Sequence, residues 1–169
     1  DIKAAAEIFE EAMASFLRRN RIQYCSEGQQ RAEFFRNNPG QLLQATPDFK
    51  LKEPVVLKVY STGKRSAHRR VHEERTIHWI EAKMFYGAST IPHDDKSAVG
   101  TILSKMRKYV NVFGEGAVVF MQGCGDRLAR ELAEIGVTAL DCASKDFDLS
   151  PVFEHQRTWC ADENGNILP

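Results

Sequence analysis

Between Thr76 and Tyr86 the chain reads T-I-H-W-I-E-A-K-M-F-Y, a run of β-branched and aromatic residues that favours a strand. Side chains alternate across a strand, so Ile77, Trp79, Glu81, Lys83 and Phe85 share one side, and His78, Ile80, Ala82, Met84 and Tyr86 the other. Glu81 and Lys83 therefore point the same way, about 6–7 Å apart along the strand. A carboxylate and an ammonium inside an otherwise hydrophobic strand are costly to bury, so they must pair, reach water or bind something. For an isolated E-x-K, an exposed sheet face carrying a salt bridge is the ordinary reading. Thr46-Pro47-Asp48, opening the preceding strand, changes that reading by supplying a second carboxylate able to converge on Glu81. Two carboxylates brought together repel, which raises a pKa unless a cation holds them. A hard divalent ion with oxygen ligands, Mg²⁺ above all, resolves the repulsion.

The rest of the chain frames this strand with helices. Ala5, Ile8, Ala12, Met13, Phe16 and Leu17 recur at three- and four-residue spacing and predict a first helix, with Asp1 as its N-cap. Ser26 with Gln29 three residues on predicts a capping box and a second short helix, ended at Pro39-Gly40. From Asp48 the period shortens, and Phe49, Leu51, Val55, Val56, Leu57 and Val59 read as two extended runs broken at Pro54. Tyr60 to Glu74 is polar and basic and reads as a long loop or protruding hairpin. Asp94 or Asp95 then caps a helix with Val99, Ile102, Leu103, Met106 and Val110 on one face, punctuated by Gly114 and Gly116. Ala117–Met121 has the continuous apolar character of a strand covered on both faces. Asp126–Ile135 is an amphipathic helix stopped at Gly136, and Val137–Leu140 is a last short strand. Lys145 to Pro169 shows no clear pattern. Strands first paired locally, then alternating with helices, predict a mixed sheet sandwiched by helices.

With 169 residues, 43% of them hydrophobic, the expectation is one core and one domain. Positive and negative side chains number 23 each, and a zero total does not exclude a nucleic-acid partner, which needs only a local basic face. Lys50 to Arg75 supplies one, with eight Lys or Arg against three Glu. Cys25, Cys124, Cys142 and Cys160 are scattered without a C-x-x-C pair, which predicts free thiols rather than disulfides or zinc. No apolar run approaches the roughly 20 residues of a membrane span, and no signal-peptide pattern is present, so an intracellular protein, nuclear or cytoplasmic, is expected. The start at Asp1 without an initiator Met reads as a segment of something longer.

Pro47-Asp48 followed by Glu81-Ala82-Lys83 resembles the PD-(D/E)XK signature of restriction-endonuclease-like nucleases. The text around it is more specific. Thr46-Pro47-Asp48-Phe49, Glu53-Pro54-Val55, Ile77-His78-Trp79-Ile80-Glu81-Ala82-Lys83 and Phe113-Gly114-Glu115-Gly116 resemble, in order, the TPD-motif family, which is codanin-interacting-nuclease-like. The similarity runs from about Glu7 to Asp141. It implies a three-layer restriction-endonuclease-like α/β fold, a central mixed sheet flanked by helices, over residues 1–142. A basic insertion makes the segment at about 58–75 longer than its counterpart in relatives, and the C-terminal extension at 143–169 has no counterpart there. The resemblance implies Mg²⁺, with Mn²⁺ as substitute, held by Asp48, Glu81 and the Ala82 carbonyl, and Lys83 as the lysine that stabilises charge or positions water. The superfamily's further glutamate from the first helix matches Glu10 best, with Glu11 or Glu7 as alternatives and a solvated helix residue as the plain one. Lys105 stands where relatives carry a glutamine; it reads as a contact to the scissile phosphate or as a surface lysine. Lys64, Arg65, Arg69 and Arg70 of the insertion read as holding a nucleic-acid backbone, or as a solvated loop.

The implied activity is metal-dependent phosphodiester hydrolysis of DNA or RNA. Its rival is a nuclease-like fold serving as a protein-binding module, with a codanin-type partner or a larger assembly; a homodimer also fits resolvase-like relatives. No Ser-His-Asp or Cys-His signature calls for a covalent nucleophile. His72-Glu73 fails as a zinc-protease motif because Thr76 stands where the second histidine belongs, so His68, His72, His78 and His93 read as surface residues. Gly123-Cys124-Gly125-Asp126 lacks the Lys-Ser/Thr of a phosphate loop and reads as a turn, and Phe34-Phe35 reads as packing.

Overall fold

Apolar residues at helical spacing near the N-terminus and at two-residue spacing from Phe49 onward need each other's cover, and a layered arrangement supplies it. A computed structural model describes residues 2–43, 45–60, 71–88, 98–143, 145 and 147–157. The elements follow the order α1 (Ile2–Arg19), β1 (Tyr24–Ser26), α2 (Glu27–Asn37), β2 (Phe49–Tyr60), β3 (Val71–Lys83), α3 (Ala98–Phe113), β4 (Gly116–Phe120), α4 (Asp126–Glu134), β5 (Val137–Asp141) and α5 (Ser150–Arg157). The five strands form one mixed sheet in the order β1-β2-β3-β4-β5. β1, β2 and β3 pair antiparallel, and β3, β4 and β5 pair parallel.

Two cores lie on the two faces. On one, Phe9, Met13 and Leu17 of α1 meet Phe49, Leu51, Ile77, Ile80 and Ala82. On the other, Ile102, Leu103, Met106 and Tyr109 of α3 and Leu128 and Leu132 of α4 cover Trp79, Val118 and Phe120. Every residue of β4 is buried, as its continuous apolar run predicts for a strand covered on both sides. The Ser26–Gln29 capping box forms in both directions at the head of α2. Asp1, Asp94, Asp95 and Cys160, and with them the expected caps of α1 and α3, lie outside the described residues. Cys25, Cys124 and Cys142 are free and half-buried. Among the described residues no helix is long and apolar enough to cross a membrane.

Four expectations change. β2 is one strand rather than two runs, because Pro54 falls in a register irregularity between Lys50 and Val55, where its missing N–H costs no ladder bond. The same irregularity shifts the alternation of β3 at its middle. Ile77 joins the α1 core with Ile80 and Ala82, while Trp79 faces α3 and α4. The stretch read as a loop or hairpin from Tyr60 is a hairpin paired up to Tyr60 opposite Val71. Among the described residues, β1 pairs with β2 at Phe49–Leu51 and β4 with β3 at Ile80–Lys83, so Val55–Tyr60 and Val71–Ile77 pair with each other alone. Finally, the patternless tail contains α5. Asp148 accepts a hydrogen bond from the Ser150 N–H at its start, Phe147 stacks on Phe16 at 5.1 Å, and Val152 is fully buried. α5 thereby covers a flank of α1, and Phe147 just ahead of it also meets the buried Phe9, a residue outside the predicted stripe.

Candidate metal centre at the β2–β3 junction

Asp48 immediately precedes β2, whose first residue Phe49 lies opposite Ile80. In an antiparallel pair, one step back on β2 is one step forward on β3, so Asp48 stands across from Glu81. The two acids are locked by reciprocal hydrogen bonds to backbone. The Asp48 N–H donates to Glu81 Oε2 at 3.2 Å, and the Ala82 N–H donates to Asp48 Oδ2 at 2.8 Å. The N–H and C=O of one strand residue leave on the same edge. The carbonyl of Ala82 therefore emerges beside Asp48, while that of Lys83 turns the other way and accepts from the Met121 N–H at 2.8 Å.

Glu81 is fully buried. Its Oε1 accepts from two ammonium groups, Lys83 Nζ at 2.6 Å and Lys105 Nζ at 2.7 Å. Both lysines keep part of their surface in water, 21% for Lys83 and 45% for Lys105, so the cluster joins a dry acid to wet cations. Burial works against the charge on Lys105, but the charge and hydrogen bond of Glu81 outweigh it and hold the ammonium above the ordinary lysine range.

The Thr46-Pro47-Asp48 segment is pinned from three directions. The Tyr109 hydroxyl donates to the Thr46 carbonyl at 2.8 Å, Gln30 Nε2 donates to the Pro47 carbonyl at 2.8 Å, and the Thr46 hydroxyl donates to Glu27 at 3.2 Å. Tyr109 is itself braced edge-on by the Trp79 ring at 5.1 Å and lies under Lys105 Nζ at 5.4 Å. Burial first, and then Glu81's charge, push the Tyr109 hydroxyl above its ordinary range, so it stays a donor. Sequence reasoning missed Gln30, Glu27 and Tyr109. Tyr109 alone left a signal, one turn beyond Lys105 on the predicted helix.

Of the first-helix glutamates, Glu7 pairs with Lys3 and Glu11 with Arg18 on the surface. Glu10 is partly buried and faces the cluster. Burial raises its pKa against the pull of Lys83, and the charges of Glu81, Glu27 and Glu7 raise it further. Among the described residues no three His, Cys, Asp or Glu side chains group closely enough to hold a metal together, and the oxygens that could serve at this junction are those of the two acids and the Ala82 carbonyl. That set suits a hard ion such as Mg²⁺, which is bound through one or two carboxylates and keeps several waters. Lys64, Arg65, Arg69 and Arg70 lie outside the described residues.

Burial, then Glu81's charge, push the Asp48 carboxyl up to about 7, with the Ala82 N–H and Lys83 opposing and Glu10 adding. Between the ordinary 3.8 and about 7, the folded protein holds a proton that the unfolded chain has released. Its stability therefore falls as pH rises through that window, by up to about 1.4 kcal/mol per pH unit. Thermal melts in EDTA should show the decline, and Asp48→Asn should flatten it. A wild type already flat across the window would contradict this picture of the acid pair.

A sequence profile described as a protein of unknown function with the TPD sequence motif matches residues 2–143. No curated protein matches the chain, and no solved structure does.

Proposed function

We propose a function from one premise: the chain belongs to the TPD sequence-motif family, whose profile spans most of its length. The reading is metal-dependent hydrolysis of phosphodiester bonds in DNA or RNA, on a restriction-endonuclease-like fold. One observation carries it. Asp48 at the head of β2 and Glu81 on β3 are held face to face, Glu81 by the Asp48 N–H and Asp48 by the Ala82 N–H, with Lys83 and Lys105 converging on the same oxygen of Glu81. The mixed sheet between two helical layers supports the same reading.

Phosphodiester hydrolysis needs an activated water, neutralised phosphoryl oxygens and a stabilised leaving alkoxide. A bound Mg²⁺ or Mn²⁺ supplies the first two, by lowering the pKa of a water and acting as a Lewis acid. Asp48, Glu81 and the Ala82 carbonyl would hold that ion. Lys83 and Lys105, both donating to Glu81 Oε1, would supply positive charge to phosphoryl oxygens beside the acids, where fixed charge counts most. Tyr109 and Gln30 keep the Thr46–Asp48 segment from retreating.

A second reading has its own observation. Glu81 already accepts from two ammonium groups, so the cluster can stand as an internal ion-pair network in a nuclease-like binding module, with a codanin-type protein as the partner that the family resemblance suggests. Purified protein with Mn²⁺ or Mg²⁺ and a panel of DNA and RNA substrates separates the two. Cleavage by wild type and none by Asp48→Ala supports the nuclease. Substrates left intact by both leave the binding module.

A further inference from the structure

Two cavities flank the acid pair, and they differ in charge. Toward α1, about 350 Å³ of space is walled by Glu10, Glu27 and Asp48 among others. Between α2 and α3, about 270 Å³ is walled by Arg31, Lys105 and Lys108 with Thr46, Tyr109 and Glu27. Lys105 and Lys108 are three residues apart on α3 and so share a face, and Arg31 approaches from α2. Lys105 already belongs to the acid cluster, whereas Arg31 and Lys108 have no part in it. Arg31 is held by Glu27 at 2.6 Å and Lys105 by Glu81 at 2.7 Å, so Lys108 gives the cavity its excess of positive charge.

We propose that the α2–α3 cavity is a subsite for a phosphate group of a nucleic-acid strand, next to the phosphate at Asp48 and Glu81, with Lys108 and Arg31 as its binding residues. This rests on the nuclease reading and adds the side on which the strand lies. About 270 Å³ of space is ample for a phosphate group. Chemistry decides the kind of occupant. A guanidinium fork matches two phosphate oxygens, and Lys108 adds a point charge beside it. The acid-lined cavity across the pair repels a polyanion and confines the strand to the α2–α3 side.

The test titrates a labelled single-stranded oligonucleotide, as DNA and as RNA, into the protein in EDTA at several salt concentrations, and follows cleavage in Mn²⁺. Lys108→Gln and Arg31→Gln should each flatten the slope of log K against log salt by roughly 0.7, the share of one phosphate contact on a single strand. In cleavage, both should raise KM more than they lower kcat. Arg127→Gln removes the same charge from the exposed face of α4 and should leave the slope at the wild-type value. Wild-type slopes in Lys108→Gln and Arg31→Gln, with cleavage intact, would overturn the subsite and leave the nuclease reading standing. Equal flattening in all three variants would also overturn it, as an effect of net charge. A wild type that neither binds nor cleaves would sink both.

Discussion

A calorimetric titration should show saturable Mn²⁺ binding by the wild type, and Glu81→Ala should abolish it. Loss of a residue that merely orients a metal ligand costs about 10–100-fold in affinity, and a direct ligand should cost more than that. The fold should survive the change. Stripping one partner from a fully buried ion pair costs about 3–5 kcal/mol, but the partners left behind here are Lys83 and Lys105, which already reach water and can be hydrated. Removing Glu81 also relieves Asp48 of its repelling neighbour, so the variant's stability should depend less steeply on pH between 3.8 and about 7. Equal weak heats in wild type and variant would mean that the acids hold no metal, and the binding-module reading would take over.

Gly116→Ala should be the most damaging glycine-to-alanine change among the described residues. A Cβ at Gly116 would sit 2.1 Å from the Trp79 ring, inside any allowed contact. The ring cannot yield, because it is fully buried, braces Tyr109 edge-on and donates its indole N–H to the Gly114 carbonyl at 2.8 Å. Overpacking typically costs 1–3 kcal/mol, and a rigid neighbour puts this site at about 3 kcal/mol or above, a large part of the 5–15 kcal/mol that holds an ordinary domain. Denaturant midpoints would measure it. Combining Gly116→Ala with Trp79→Leu should cost less than the sum of the two single changes, because the smaller side chain makes room. Strict additivity would show that the clash is relieved elsewhere.

These two sites show what a reader of the sequence could and could not see. Glu81 and Lys83 stand out because charges in an apolar strand demand a partner, and Asp48 follows because it opens the neighbouring strand. Glu81's second cation, Lys105, was visible only as a helix position after that strand. The clamps on Thr46 and Pro47 were hidden, because Tyr109 lies 63 positions from Thr46 and Gln30 lies 17 from Pro47. A glutamine in a capped helix carries no mark of the carbonyl it will meet. The Phe113-Gly114-Glu115-Gly116 motif was legible as punctuation, but its reason was not. Gly114 takes a left-handed φ of 84°, and Gly116 makes way for Trp79. Alternation failed at Ile77 because a register irregularity is written in the pairing of two strands, not in either strand alone. α5 escaped notice because a two-turn helix with one fully buried residue, Val152, has too little period to read.

The strands lie side by side in the order in which the chain is made. Each therefore docks on its immediate predecessor, across a hairpin for β2–β3 and across helical crossovers for the parallel pairs β3–β4 and β4–β5. Asp48 and Glu81 become neighbours as soon as the β2–β3 hairpin zips shut, with Lys83 already beside them. Lys105 and Tyr109 come later, with α3. During synthesis the acids are thus gathered before the full complement of cations that neutralises them. The docking of α3 is the step that turns a repelling pair into a finished cluster, and it makes that helix the keystone of the assembly order.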